Sequence, residues 1–122
     1  MYAERHSVSV TTIADGSAIA YSPVITGKII NIIYNKTDFT DGVDFTITLE
    51  GSAQNLWVEL NVNVSKTVAP RQATHDTVGI ASLYAAAGEP VEDYILAAND
   101  RVKIVIAAGG ATKSGTFIIV IS

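Results

Sequence analysis

The chain has no cysteine, one methionine, one tryptophan, three prolines and two histidines in 122 residues. Without thiols there is no disulfide framework, no thiolate nucleophile and no cysteine-based zinc or iron–sulfur site, so folding must come from packing and strand pairing. Charge is scarce too: Asp, Glu, Lys and Arg make up 16% of the residues, against about a quarter in an ordinary soluble domain. The eight Lys and Arg are scattered and outnumbered by twelve Asp and Glu, leaving a formal net charge of −4. That balance argues against nucleic acid as a direct partner, because phosphate binding relies on clustered cations. No apolar run reaches membrane-spanning length, and the opening Met1-Tyr2-Ala3-Glu4-Arg5-His6 lacks the apolar stretch of a signal peptide. The expectation is a soluble protein made in a cytoplasm, with no membrane partner. Asn35-Lys36-Thr37 and Asn63-Val64-Ser65 match the glycosylation acceptor pattern, which carries no meaning without secretion.

What is present in quantity is apolar: 48% of the residues are hydrophobic. The length suits a single domain over residues 1–122, with residues 1–6 expected as a flexible arm. Many apolar residues and few charges imply that some apolar surface goes into contacts with other chains.

Strand patterns run along the whole sequence. Ser7 to Thr11 alternates polar and apolar, Asp15-Gly16 supplies a turn, and Ala18 to Tyr21 resumes, which reads as a first hairpin. Val24 to Tyr34 is rich in β-branched residues and broken only at Gly27-Lys28, predicting a long central strand with a bulge at the glycine. Asn35 to Gly42 is polar and turn-forming. Val43 to Glu50 then alternates, with Val43, Phe45, Ile47 and Leu49 facing one way. After a turn over Gly51 to Gln54, Leu56 to Val62 reads as the returning strand, anchored by Trp57.

Ala69 to Asp93 carries Pro70 and Pro90 and no sustained period of two, predicting a long excursion with one helical turn near Ser82 to Ala86. Loops of that size are usually functional or packed on a neighbour. Arg101 to Ala107 and Thr116 to Ile121 read as a closing hairpin joined across Gly109-Gly110. Val105, Ile118 and Val120 make it apolar on both faces, as expected for burial between layers or between subunits. The fold class that follows is all-β: a single antiparallel β-sandwich or jelly roll of seven or eight strands with one long loop.

The candidate sites each have an ordinary structural explanation. Asp38, Asp41 and Asp44 bring three carboxylates near Gly42. Calcium takes such oxygen ligands, but the spacing is not that of an EF-hand loop, and Asp with Gly is common turn chemistry. His75-Asp76 could form half of an acid–base pair, but no Gly-x-Ser-x-Gly nucleophile turn accompanies it, and His6 is the only other histidine. Gly109 to Gly115 resembles a phosphate loop only superficially, since Thr112 stands where a glycine is required and a strand follows. Glu89, Glu92 and Asp93 read as a solvated loop rather than a glycosidase pair. Trp57 reads as core, while Tyr84 and Tyr94, in the excursion, stay open as aromatic contact residues. No catalytic residue, metal ligand or cofactor is expected.

Three segments, Thr37 to Thr48, Leu56-Trp57-Val58-Glu59-Leu60-Asn61-Val62-Asn63 and Ala98 to Ala107, resemble small proteins encoded among the structural genes of tailed bacteriophages and prophages. The resemblance spans most of the chain and brings no active site with it. It implies a virion component assembled in the bacterial cytoplasm, with cement or decoration of the capsid as the leading role. The implied partners are the major capsid protein and further copies of the chain, as a dimer or trimer. Arg71, His75, Tyr84 and Tyr94 are the interface candidates, because Arg and Tyr dominate binding hot spots. Two alternatives are a component of the head–tail junction or tail, and, in another class, a carbohydrate-binding module.

Overall fold

The computed structural model describes residues 2–122. Ten strands lie among them: β1 (Glu4–Thr11), β2 (Ala18–Tyr21), β3 (Ile25–Lys36), β4 (Val43–Leu49), β5 (Asn55–Val62), β6 (Lys66–Val68), β7 (Arg71–Ala73), β8 (Glu92–Asp100), β9 (Val102–Ala107) and β10 (Ser114–Ile121). They form two antiparallel sheets. One runs β1-β10-β3-β8-β7, with β6 also on β3; the other runs β2-β9-β4-β5. The architecture is sandwich-like and all-β, as the alternation predicts.

The strand count is higher than seven or eight because β7 lies within the expected excursion and β6 and β8 flank it. β6 and β7 are three residues each, too short to leave a period in the sequence. The nine-residue β8 buries only Ile95 and Ala97, so its weak apolar face gave no strand signal.

Pairing differs more than content does. β1 pairs with β10 and β2 with β9, so Ser7 to Tyr21 is not a hairpin but a step from one sheet to the other. The closing pair is a second such step: β9 lies between β2 and β4, while β10 lies between β1 and β3. Their apolar character on both faces therefore marks the middle strands of two different sheets, not the two halves of one hairpin. Among adjacent strands of the main sandwich only β4 and β5 form a simple hairpin. Of the N-terminal arm expected over residues 1–6, Glu4, Arg5 and His6 belong to β1, pairing with Ile121, Val120 and Ile119, and Met1 lies outside the described residues.

The single core sits between the sheets. Val43, Phe45, Ile47 and Leu49 of β4 and Val102, Ile104 and Ile106 of β9 meet Phe117, Ile119 and Ile121 of β10 and Ile29, Ile32 and Tyr34 of β3. Phe45 is its hub, 4.7 Å from Tyr34, 5.0 Å from Phe117 and 5.3 Å from Trp57 between ring centroids, each edge to face. The β3 register against β8 shifts between Ile25 and Gly27, at the glycine where a bulge is expected.

Candidate functional site

The carboxylates of the acidic stretch are each already bonded, and to different partners. Asp38 accepts the Ser114 backbone N–H, Asp41 pairs with the Lys36 ammonium, and Asp44 accepts the Asn61 backbone N–H at 3.0 Å. The acidic stretch is thus a turn whose carboxylates each tie a different neighbour. Among the described residues no group of three or more His, Asp or Glu could hold a metal ion. Asp76 does not orient His75; its Oδ1 accepts the N–H groups of Val78 and Ile80 at 2.9 and 3.0 Å. That is local turn chemistry.

The glycine-rich segment after β9 is a crossover rather than a hairpin loop. The Gly109 N–H donates to Gly16 and its carbonyl accepts from Thr40, at 2.9 and 3.0 Å. The Thr12 hydroxyl donates to the Gly110 carbonyl and accepts the Lys113 N–H at 2.8 Å. A Cβ on Gly110 would stand 2.6 Å from Thr40 Cγ2, so close packing of three loops, not phosphate binding, calls for the glycine.

The aromatic residues divide by environment. Trp57 and Tyr34 are buried, which removes the motive for a sugar-stacking platform on Trp57. Burial, and secondarily the Asp41 charge, pushes the Tyr34 hydroxyl up to about 12. Tyr21 lies 4.1 Å beneath the Arg101 guanidinium. Tyr94 sits opposite Arg71 in the β7–β8 ladder, with the guanidinium 4.1 Å and the Lys28 ammonium 5.4 Å from its ring centroid. Arg71 also donates to the carbonyls of Ile30 and Pro70, which binds it back onto the sandwich.

His75 and Tyr84, the other two interface candidates, stand elsewhere, on an arm that projects beyond β7 and β8. Its base is a three-way junction: Thr74 N–H to Val91, Ser82 N–H to Thr74 and Val91 N–H to Ser82, at 2.8 to 3.0 Å. Two small turns extend from it, closed by the His75–Ala81 and Leu83–Pro90 bridges. No helix forms over Ser82 to Ala86; backbone bonds to Thr74, Val91 and Glu89 fix Ser82 to Tyr84, and a tight turn follows, closed by the Gly88 N–H on the Ala85 carbonyl at 2.9 Å. Every residue from His75 to Pro90 is exposed except the half-buried Ser82. Val78 and Tyr84 are each 76% exposed and Ile80 is 64% exposed. The arm is ordered by its own backbone and presents its apolar side chains outward. The chain as a whole exposes 6785 Å², above the about 6,300 Å² expected for a compact monomer of its mass, as a projecting arm requires.

A second surface was not visible in the sequence. On the outer face of the β2-β9-β4-β5 sheet, Ile19, Val105, Thr46 and Val58 stand in one cross-strand row. Leu60 follows on β5, 69% exposed. Each residue is unremarkable alone, and only the register between distant strands aligns them. Both surfaces present apolar side chains to solvent, and among the described residues no pocket opens on either. Comparison with protein-family models, with curated proteins and with solved structures returned no match to this chain.

Proposed function

We propose that the protein is a non-enzymatic structural component of a tailed-phage particle, a self-associating β-sandwich that binds and reinforces the major capsid shell. The observation that carries this reading is the arm from Thr74 to Val91, which holds Val78, Ile80, Leu83 and Tyr84 in solvent on a backbone ordered without a core of its own. Exposed apolar surface of this kind marks interaction sites in native proteins. An ordered arm also lowers the entropy cost of docking compared with a loose loop.

We further read the strand order β1-β10-β3-β8 facing β2-β9-β4-β5 as that of a jelly roll, with β6 and β7 inserted between its fifth and sixth strands. Jelly rolls recur in viral capsid proteins and in lectins. By analogy alone that supports the virion reading, and the burial of Trp57 favours it over a lectin-like one.

The test uses particles produced with the intact chain, without it, and with the variant Val78→Asp/Tyr84→Asp. Intact particles should retain their genome to higher temperature than those lacking the protein, and the variant should fold yet fail to co-sediment with shells. Unchanged particle stability, together with cryo-EM maps lacking the protein on the shell, would overturn the reading. A copy number of six or twelve, not hundreds, would move it to the head–tail junction.

A further inference from the structure

We propose that the outer face of the β2-β9-β4-β5 sheet is a two-fold self-association surface whose occupant is a second copy of this chain. The proposal rests on the self-association reading above and names the surface responsible for it.

A sheet packed on one side normally turns polar residues to water on the other. Here the central row is Ile19, Val105, Thr46 and Val58, with Ile19 60% and Val58 53% exposed. Nothing among the described residues covers it, since the arm grows from β7 and β8 of the opposite sheet.

The charges beside the row choose the partner. Lys103 of β9, opposite Thr48, flanks the row on one side; Asp44 of β4, opposite Ala107, flanks it on the other. Lys103 takes part in none of the ion pairs among the described residues, and Asp44 uses only Oδ1, on the Asn61 N–H. A two-fold axis lying along the row carries the Lys103 side of one copy onto the Asp44 side of the other. Lys103 then faces the partner copy's Ala107, with Asp44 of that copy one strand away, about 4.8 Å and within reach of a lysine side chain. Symmetry makes this contact twice. The alternative axis, along the strands, brings the two Lys103 ammoniums together and is disfavoured by like-charge repulsion. The chosen axis also keeps the strands of the two copies aligned, the usual geometry of stacked sheets, and sets Ile19, Val105, Thr46 and Val58 each over its own copy, as an isologous interface requires.

Four strands at about 4.8 Å and the seven residues of β4 at about 3.3 Å each give a face of roughly 19 by 23 Å. That footprint, about 900 Å² over the two copies, belongs with the weak, transient interfaces, so the dimer should be reversible and concentration-dependent.

The test is sedimentation velocity of the purified full chain over a wide concentration range, with circular dichroism and thermal melting to confirm that each variant is folded. The expected results are a monomer–dimer equilibrium for the wild type and dimerisation weakened about tenfold or more by Val58→Glu. Lys103→Asp should weaken it as well, and Lys103→Asp/Asp44→Lys should restore it. The absence of native cysteine gives a second readout: Thr46→Cys should be captured as a covalent dimer by a short thiol crosslinker, while Val78→Cys on the arm should not. A wild-type oligomer indifferent to Val58→Glu, with no Thr46→Cys capture, overturns this surface and leaves self-association standing. A wild type that stays monomeric at every concentration overturns both.

Discussion

Phe39 packs its ring against Gly115 so closely that a methyl group on the glycine would stand 2.5 Å from Cε2 and 2.7 Å from Cδ2. The ring is 2% exposed and stacks 6.2 Å from Tyr34, so it has little room to retreat. Gly115→Ala is therefore expected to destabilise by about 1–3 kcal/mol, the usual cost of overpacking. Phe39→Leu added to it should recover part of the loss. Urea denaturation checks this: the midpoint should fall at an unchanged slope, and an unshifted midpoint would count against the fixed ring position.

Tyr34 is fully buried, and its hydroxyl has no hydrogen-bond partner among the described residues. Tyr34→Phe should stabilise the fold by about 1 kcal/mol, because it removes a buried, unpaired polar group. Its pKa is raised on folding to about 12, chiefly by burial. The folded state then holds its proton where the unfolded state releases it. The associated stability is complete below the ordinary tyrosine pKa near 10 and is lost as pH rises towards 12. Wild type should lose more stability than Tyr34→Phe between about pH 10 and 12; parallel losses in the two proteins would contradict the assignment.

Glu59 accepts hydrogen bonds from the Trp57 indole N–H at 3.0 Å and from the Lys66 ammonium at 2.9 Å. The Lys66 bond first, and the Trp57 bond second, hold its carboxyl below the usual range. A lowered carboxylate pKa contributes stability above its unfolded value that disappears as pH falls through the folded one. Both side chains of the ion pair are partly exposed, at 45% and 30%, so the effect should stay under about 1 kcal/mol. Trp57 fluorescence should titrate on the acid side of the ordinary Glu range, and Glu59→Gln should abolish that step. Persistence of the step in Glu59→Gln would assign it to another group.

The arm should be separable from the stability of the sandwich. Val78→Asp and Tyr84→Asp alter side chains that are 76% exposed, and each should change unfolding free energy by less than about 0.5 kcal/mol. Limited proteolysis should cut first within residues 75–90. A loss of several degrees in melting temperature would mean that the arm packs on the body after all.

Local patterns made much of this fold legible. The alternation of Val43, Phe45, Ile47 and Leu49 matches the buried face of β4, and the break at Gly27 coincides with the register shift in β3. Partner choice was not legible, because a strand's sequence records how buried its faces are and not which edge it joins. β9 and β10 illustrate this: adjacent, apolar on both faces and separated by glycines, they meet every local criterion for a hairpin and yet enter opposite sheets. The same limit hid the Ile19-Val105-Thr46-Val58 row, which exists only through pairings between distant segments. The acidic stretch was legible as a turn, since Asp and Gly act through bonds to nearby backbone.

The placement of β9 and β10 in the interiors of both sheets bears on how the protein comes off the ribosome. β1 has only β10 as a neighbour, and β2 has only β9, so the first two strands to be synthesised must wait for the last two. Until residues beyond Arg101 emerge, each sheet lacks an interior strand, and the nascent chain offers open strand edges and an uncovered aromatic cluster. Folding should therefore be a late, nearly all-or-none event governed by non-local contacts. Premature arrest of translation in the closing third should yield not a smaller domain but an aggregating fragment.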